Sequence, residues 1–289
     1  PSYFQFKVTD YETLLNAHNG RGLPPVKVLA FEESPLPLFL EGPVRYLKTL
    51  KKASMDEKRA VYTAVAASTL HDTKLSMYKI SENLGDMPME VGRMKAFDSG
   101  WLENESIWLH MSYKWYLELL RAGLYTEFFK EIKKGVVCFM DTSVFGRSPL
   151  EATSFIVSSA FPDQALHGSG FLARLSGTTA EFLSMWNHMM LGRTPFTTDA
   201  DGALQLSLEP VIADWMWRSD GMIDFRFLGA IDVTYVSETK AASWKSTIKS
   251  YTLVAADGTK TKVDGAVVPS PIAEDVRALK FASMTVTLG

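Results

Sequence analysis

Cysteine is nearly absent from this sequence: Cys138 stands alone among 289 residues, which excludes an internal disulfide framework. Its place in the apolar run Val136-Val137-Cys138-Phe139-Met140 predicts a buried small hydrophobe. An excess of one charge is lacking too, with 30 Lys and Arg against 33 Asp and Glu and a net charge of -3. Without a basic field to meet a phosphate backbone, nucleic acid is not an expected partner. No stretch approaches the roughly 18 apolar residues that span a bilayer. Pro1-Ser2-Tyr3-Phe4-Gln5 is not a basic region leading into an apolar one, so no membrane span or signal peptide is expected, and a cytoplasmic protein fits best. The start at Pro1 rather than Met suggests processing, or a piece of something longer. Metal-ligand spacing such as His-Glu-x-x-His and a nucleophile elbow are missing. His167-Gly168-Ser169-Gly170 is glycine-rich but has no strand–helix frame for a nucleotide. No metal and no cofactor are therefore expected.

Apolar residues are plentiful, at 46% with 12% aromatic. That is enough for one large domain, or one large and one small. The first forty residues read as irregular, punctuated by Gly20, Gly22, Pro24, Pro25, Pro35 and Pro37. Helical periodicity follows over 44–50 and 56–70, and 82–97 reads as loop and turn. Ile107, Met111, Trp115 and Leu119 form an i, i+4 ladder that Gly123 should stop. A second helix over 125–134 follows at once and must run antiparallel to the first. A further helix is predicted over 178–191, ended by Gly192. Past Pro210 the pattern changes to strand alternation over 224–236, 247–254 and 284–288, with Asp257-Gly258 as a hairpin turn. The expected fold class is mainly α with a small β domain. Residues 1–215 would be the second half of an (α/α)6 barrel, and 216–289 a C-terminal antiparallel β domain.

Two segments carry chemistry. On a continuous helix Glu103, Ile107 and His110 would share a face; if 103 lies in the approach loop, Glu103 still sits above His110. A carboxylate and aromatic rings at such a mouth suit a sugar, whereas the plain reading makes Glu103 and Glu105 first-turn acids facing the helix dipole. The second segment is Ser176-Gly177-Thr178-Thr179-Ala180-Glu181, where Thr178 and Glu181 have capping-box spacing. Free amides and hydroxyls at a positive helix end suit phosphate, with Arg174 a bidentate candidate. Most capping boxes bind nothing. His71-Asp72 reads as a surface pair, His188 as packing, Asp163 as a turn aspartate, and Met185, Trp186, Met189 and Met190 as core.

Taken together, Glu103-Asn104-Glu105-Ser106-Ile107-Trp108-Leu109-His110 and Ser176-Gly177-Thr178 resemble the Glu-Asn-Gly-Gly-Ile-Phe-x-His and Thr-Gly-(Ser/Thr) segments of the inverting β-glucan phosphorylases. This is the clan of cellobiose phosphorylase, glycoside hydrolase families 94, 149 and 161, and the chain looks closest to the large β-1,3- and β-1,2-oligoglucan enzymes. The resemblance covers most of residues 80–240. It implies reversible phosphorolysis of β-linked oligoglucans to α-glucose 1-phosphate with inversion, inorganic phosphate being the co-substrate. It makes His110, Ser176, Gly177 and Thr178 phosphate-binding, with Arg174 a weaker candidate, and Glu103 sugar-binding. A homodimer is implied as well. The sequence departs from the pattern at Glu105 and Ser106, which replace two glycines, and at Ser176, which replaces threonine. The family's general acid is an aspartate farther upstream of the histidine than this chain reaches, so a missing N-terminal region or a companion N-terminal chain is expected to supply it. The alternatives are a non-catalytic glucan-binding fragment and an α/α-barrel glycoside hydrolase using water.

Overall fold

A helix that is apolar around most of its circumference has to lie inside the molecule. Helix α3, Leu109–Arg121, is such a helix: Leu109, Tyr113, Trp115, Tyr116, Leu117, Leu119 and Leu120 are all buried. The computed structural model describes residues 2–148, 151, 153–172 and 176–289. They divide into two compact units, Pro1–Glu181 and Phe182–Gly289. The division falls inside a helix, while the sequence places its own change of character at 215/216.

In the first unit α3 packs against α1, Glu41–Thr49, and α4, Tyr125–Gly135, and α1 also meets α2, Met55–Ala66. Each element has a local cause. Ser54 and Glu57 close a reciprocal capping box at the start of α2. Gly123, at φ +82°, ends the α3 turn as expected and lets α4 fold straight back. Between these helices lies a buried aromatic cluster of Tyr62, Tyr78, Trp115 and Tyr116 around the carboxylate of Glu131. Tyr62 donates to Glu131 at 2.6 Å. Burial and this carboxylate push the Tyr62 phenol well up, so it stays a donor.

The expected mainly-α class and the (α/α)6 half-barrel are not what the chain forms. Helical turns account for 32% of the described residues and strands for 27%. Seven α-helices occur among the described residues, one of four residues and one of six. They are not a series of paired hairpins around a ring. The first forty residues hold the largest surprise: β1, Phe4–Thr13, and β2, Val26–Pro35, pair as an antiparallel hairpin. Phe4, Phe6 and Val8 alternate as a strand should, but the glycines and prolines of the connecting loop mask the pattern in sequence. Elsewhere the unit contains strands of only two residues: β3, His71–Asp72, pairs with β4, Met77–Tyr78. A three-stranded sheet joins β5, Ile107–Trp108, β6, Phe155–Ile156, and β7, Gly170–Phe171. A short helix, α5, Thr142–Phe145, lies in the loop-rich stretch before β6.

Helix α6, Ser176–Leu191, enters the second unit at Phe182. There a small hairpin, β8, Phe196–Thr198, with β9, Leu204–Leu206, precedes a five-stranded sheet. Its order is β10 (Met222–Phe227), β11 (Ile231–Ser237), β14 (Phe281–Leu288), β12 (Ile248–Ala255), β13 (Lys260–Asp264). The pairing is antiparallel except between β11 and β14, which run parallel, so the sheet is mixed and not the antiparallel one expected. Helix α7, Ile272–Arg277, precedes β14. Alternation is clear in β11, where Ile231, Val233 and Tyr235 face inward. The Tyr235 hydroxyl donates to the Met190 carbonyl at 2.6 Å, tying the sheet to the end of α6. Tyr251 accepts from Leu208 and donates to Ala266; burial pushes its phenol up to about 12, which keeps the proton available. The Asp257-Gly258 turn joins β12 to β13 as its sequence predicts.

Three smaller expectations are corrected. Cys138 is exposed, because the chain leaves α4 in a short 3-10 turn that buries Val137 and turns the next residue outward. Trp186 is 41% exposed while Met185, Met189 and Met190 are buried, so the core stripe of α6 excludes it. Asp72 is buried rather than part of a surface pair: it accepts from Ser159 N at 2.7 Å, Ser159 Oγ at 2.9 Å and the amides of Lys74 and Leu75.

The packing of α3 on α4 yields a test. A Cβ on Gly135 would overlap the buried Tyr116 hydroxyl. Gly135→Ala should therefore lower the unfolding free energy by about 1–3 kcal/mol, the usual cost of overpacking. The readout is a lower denaturant midpoint at unchanged m; a midpoint equal to wild type would show that Tyr116 yields without cost.

Candidate functional site

The loop from Ser99 to Ser106, strand β5 and the first turns of α3 and α6 form the site, all within the first unit. Expectation and structure part first at Glu103. Ile107 is in a strand, and residues 101–104 make a turn closed by Asn104 N donating to Trp101 O at 3.1 Å. Glu103, Ile107 and His110 therefore do not share a helix face. Asn104 is buried and braces the turn, accepting from Leu84 N at 3.2 Å and donating to Phe97 O at 2.7 Å. Glu103 is gripped from outside by Arg93, whose Nε donates to it at 2.9 Å while a second guanidinium nitrogen binds the other oxygen. Such a two-point grip fixes the carboxylate plane.

Glu105 is the next residue of the loop to be held by its side chain. Its φ is +58°, in the left-handed region that favours glycine. The side chain compensates for the strain. Glu105 accepts from Lys79 Nζ at 2.7 Å, from Asn83 Nδ2 at 3.2 Å and from the Ser99 hydroxyl. Both members of the ion pair are largely buried, at 11% and 14% side-chain exposure. Its carbonyl accepts from Ser158 Oγ at 2.7 Å, which fastens the loop to the residues after β6.

His110 is the second residue of α3 and meets the start of α6. A Cβ at Gly177 would stand 2.6 Å from His110 Nδ1, so the imidazole lies flush against the glycine backbone. Only glycine allows that approach. Glu181, one turn farther along α6, places Oε1 at 3.4 Å from His110 Nε2. The capping box is thereby corrected. Helix α6 begins at Ser176, so Thr178 is already inside its first turn, and Glu181 faces His110 rather than a cap. Thr178 is 1% exposed and its hydroxyl has no hydrogen-bond partner among the described residues. Arg174 lies outside the described residues.

The site thus brings together His110, Gly177 and Glu181, with Ser176 and Thr178 on the same first turn. Glu103 stands on the preceding loop with Arg93. Sequence reasoning missed Glu181 and Arg93 as members; their spacing from His110 and Glu103 has no helical or strand period to reveal them. Beside Glu181 a cavity of about 150 Å³ is lined by Lys48, Lys114 and Arg121 together with Arg45, Glu41 and Glu118. His71 and His167 belong elsewhere: His71 packs on Tyr78, and His167 bridges Lys74 and the Phe161 carbonyl. Since an ammonium can only donate, the Lys74 contact at 2.8 Å makes His167 Nδ1 the acceptor and leaves Nε2–H to donate at 2.7 Å. Among the described residues no three His, Cys, Asp or Glu side chains are grouped to hold a metal, and no helix is long and apolar enough to cross a membrane. No protein-family model and no curated protein matches the chain.

Two tests follow from this geometry. Glu105→Ala leaves Lys79 without its partner and keeps the left-handed strain, and should cost about 3 kcal/mol or more. Glu105→Gly should cost about 1 kcal/mol less, because glycine adopts that conformation freely; chemical denaturation of both variants measures the difference, and equal losses would refute the strain argument. Gly177→Ala should displace the His110 ring, seen as a shift of its imidazole signals in NMR with the rest of the spectrum unchanged.

Proposed function

We propose that this chain holds the phosphate, and part of the sugar, in the reversible inverting phosphorolysis of β-linked oligoglucans to α-glucose 1-phosphate. The observation that carries the reading is the contact of His110 with the Gly177 backbone in the first turn of α6. An anion placed there would meet free helix amides, the positive end of the helix dipole and an imidazole. The buried hydroxyl of Thr178, unpartnered among the described residues, supports the same reading, since a buried donor without an acceptor is costly. Lys48 and Lys114 line the cavity beside Glu181, where Arg45 and Arg121 are paired with Glu41 and Glu118.

In the proposed reaction a phosphate oxygen attacks the anomeric carbon from the face opposite the glycosidic oxygen. The carbon–oxygen bond to the leaving sugar breaks as an acid protonates that oxygen, so the configuration inverts. Phosphate is already an anion and needs no general base; it needs to be held in line. His110, Ser176, Gly177 and Thr178 take that role, with Arg174 beside them in sequence, and Glu103 accepts sugar hydroxyls. The three carboxylates of the site are all engaged: Glu103 with Arg93, Glu105 with Lys79, and Glu181 beside His110. The acid is therefore proposed to be an aspartate from an N-terminal region or a companion chain, and the working assembly a cytoplasmic homodimer. The same engagement of the carboxylates favours, as the second reading, a glucan-binding module without turnover.

The test is glucose 1-phosphate release from β-1,2-, β-1,3- and β-1,4-linked oligoglucans with and without inorganic phosphate, alongside calorimetric titration with phosphate. The expected result is phosphate binding and phosphate-dependent release. His110→Ala and Ser176→Ala should each weaken phosphate affinity by roughly tenfold to a hundredfold, the worth of a hydrogen bond to a charged group, with saccharide binding little changed. Saccharide binding without turnover under any condition would select the binding module, sugar release without phosphate would indicate a hydrolase, and a normal phosphate response in both variants would remove them from the site.

A further inference from the structure

The short sheet β5–β6–β7 has one face made of aromatic rings. Residues directly opposite each other across antiparallel strands share a face. Trp108 opposes Phe155, and Phe155 opposes Phe171. Ile107, Ile156 and Gly170 therefore occupy the other face, and all three are buried. The aromatic face behaves differently. Phe155 at its centre is fully buried, while Trp108 and Phe171 on either side stay half-exposed.

Trp101 extends this face. It leaves the turn just before Leu102, whose φ is +48°, and its ring lies 5.1 Å from Phe155, 4.8 Å from Phe171 and 5.3 Å from Phe161. Trp101 and Phe161 are again half-exposed. Gly100 makes the arrangement possible, since a Cβ there would come within 2.5 Å of Phe161 N. Trp108 lies parallel to Phe155, at 4° and 6.2 Å between centroids. Both indoles are thus fixed in orientation by neighbouring rings and still meet solvent. A ring fixed before binding loses little entropy when a ligand stacks on it.

Polar groups adjoin the rings along the chain: Glu103, held by Arg93, follows Trp101 by two residues, and His110 follows Trp108 by two. A wall of fixed, half-exposed rings matches the C–H faces of a pyranose, and a carboxylate and a guanidinium nearby in the chain match its rim of hydroxyls. We propose that Trp101 and Trp108 form a stacking subsite for a glucosyl unit of the β-glucan, with Glu103 and Arg93 bonding its hydroxyls. This rests on the phosphorolysis reading for the choice of sugar, and it makes the two indoles specificity-determining residues.

The test titrates the full chain with β-1,2-, β-1,3- and β-1,4-linked glucotriose by calorimetry and tryptophan fluorescence, and separately with inorganic phosphate. Trp101→Ala and Trp108→Ala should each weaken binding of the recognised triose by roughly tenfold, about 1.4 kcal/mol, with phosphate affinity unchanged. Trp108→Phe keeps a ring on Phe155 and should retain most of the affinity. Should Trp108→Ala fail to fold by circular dichroism, Trp101→Ala and Trp108→Phe decide. If wild type binds a triose and Trp101→Ala binds it equally well, the stacking subsite is overturned while the phosphorolysis reading stands. If wild type binds phosphate but no triose, the subsite and the glucan substrate fall together.

Discussion

Helix α3 imposes the constraint on which the first unit depends. With Leu, Tyr and Trp side chains buried around it, it can exist only if other elements cover it on several sides. Helices α1 and α4 do so, and the residues that cap its ends are then placed by the same packing. Its last turn is closed by Gly123, its first opens on Trp108 and His110. His110 is thereby carried on the first turn of a helix that packing holds on several sides. Each fully buried large apolar side chain is worth about 1.5–3 kcal/mol, so no single contact holds the helix, and small changes at its surface, such as at Gly135, are felt through close packing.

The loop before α3 is stabilised by other means. It contains two non-glycine residues with left-handed backbones, Leu102 and Glu105. Strained backbone persists where its surroundings over-determine it, and here they do. Asn104 is bonded on both sides of its amide, Glu105 is bonded by three side chains, and Ser158 fastens its carbonyl. The outcome is a loop whose backbone is held at Asn104 and Glu105 and whose Glu103 is held by Arg93. The ion pair with Lys79 offsets the left-handed backbone of Glu105.

The first turn of α6 shows why one position needs one residue type. Gly177 is needed because the imidazole of His110 occupies the space of a side chain. Glu181, one turn farther along α6, places Oε1 at 3.4 Å from that imidazole. The spacing Thr178-x-x-Glu181 reads as a capping box in sequence, yet α6 begins two residues earlier and Glu181 turns to His110 instead. A local motif was outcompeted by a tertiary partner.

The sequence by itself determined what is decided within a few residues. The i, i+4 ladder of α3, the glycine stops at Gly123 and Gly192, the alternation of β11, β12 and β14 and the Asp257-Gly258 turn are all local, so they could be read directly. Tertiary structure alone decided the rest. Strands β5, β6 and β7 are two residues long and exist only through distant partners. The β1–β2 hairpin is hidden by its own turn, the exposure of Cys138 depends on a short 3-10 turn and that of Trp186 on which stripe of α6 is covered, and the pairings of Glu105, Glu103 and Glu181 join residues without a common period. Long-range contacts leave no periodic trace in a single chain, so the fold class could not be read from pattern even where individual helices could.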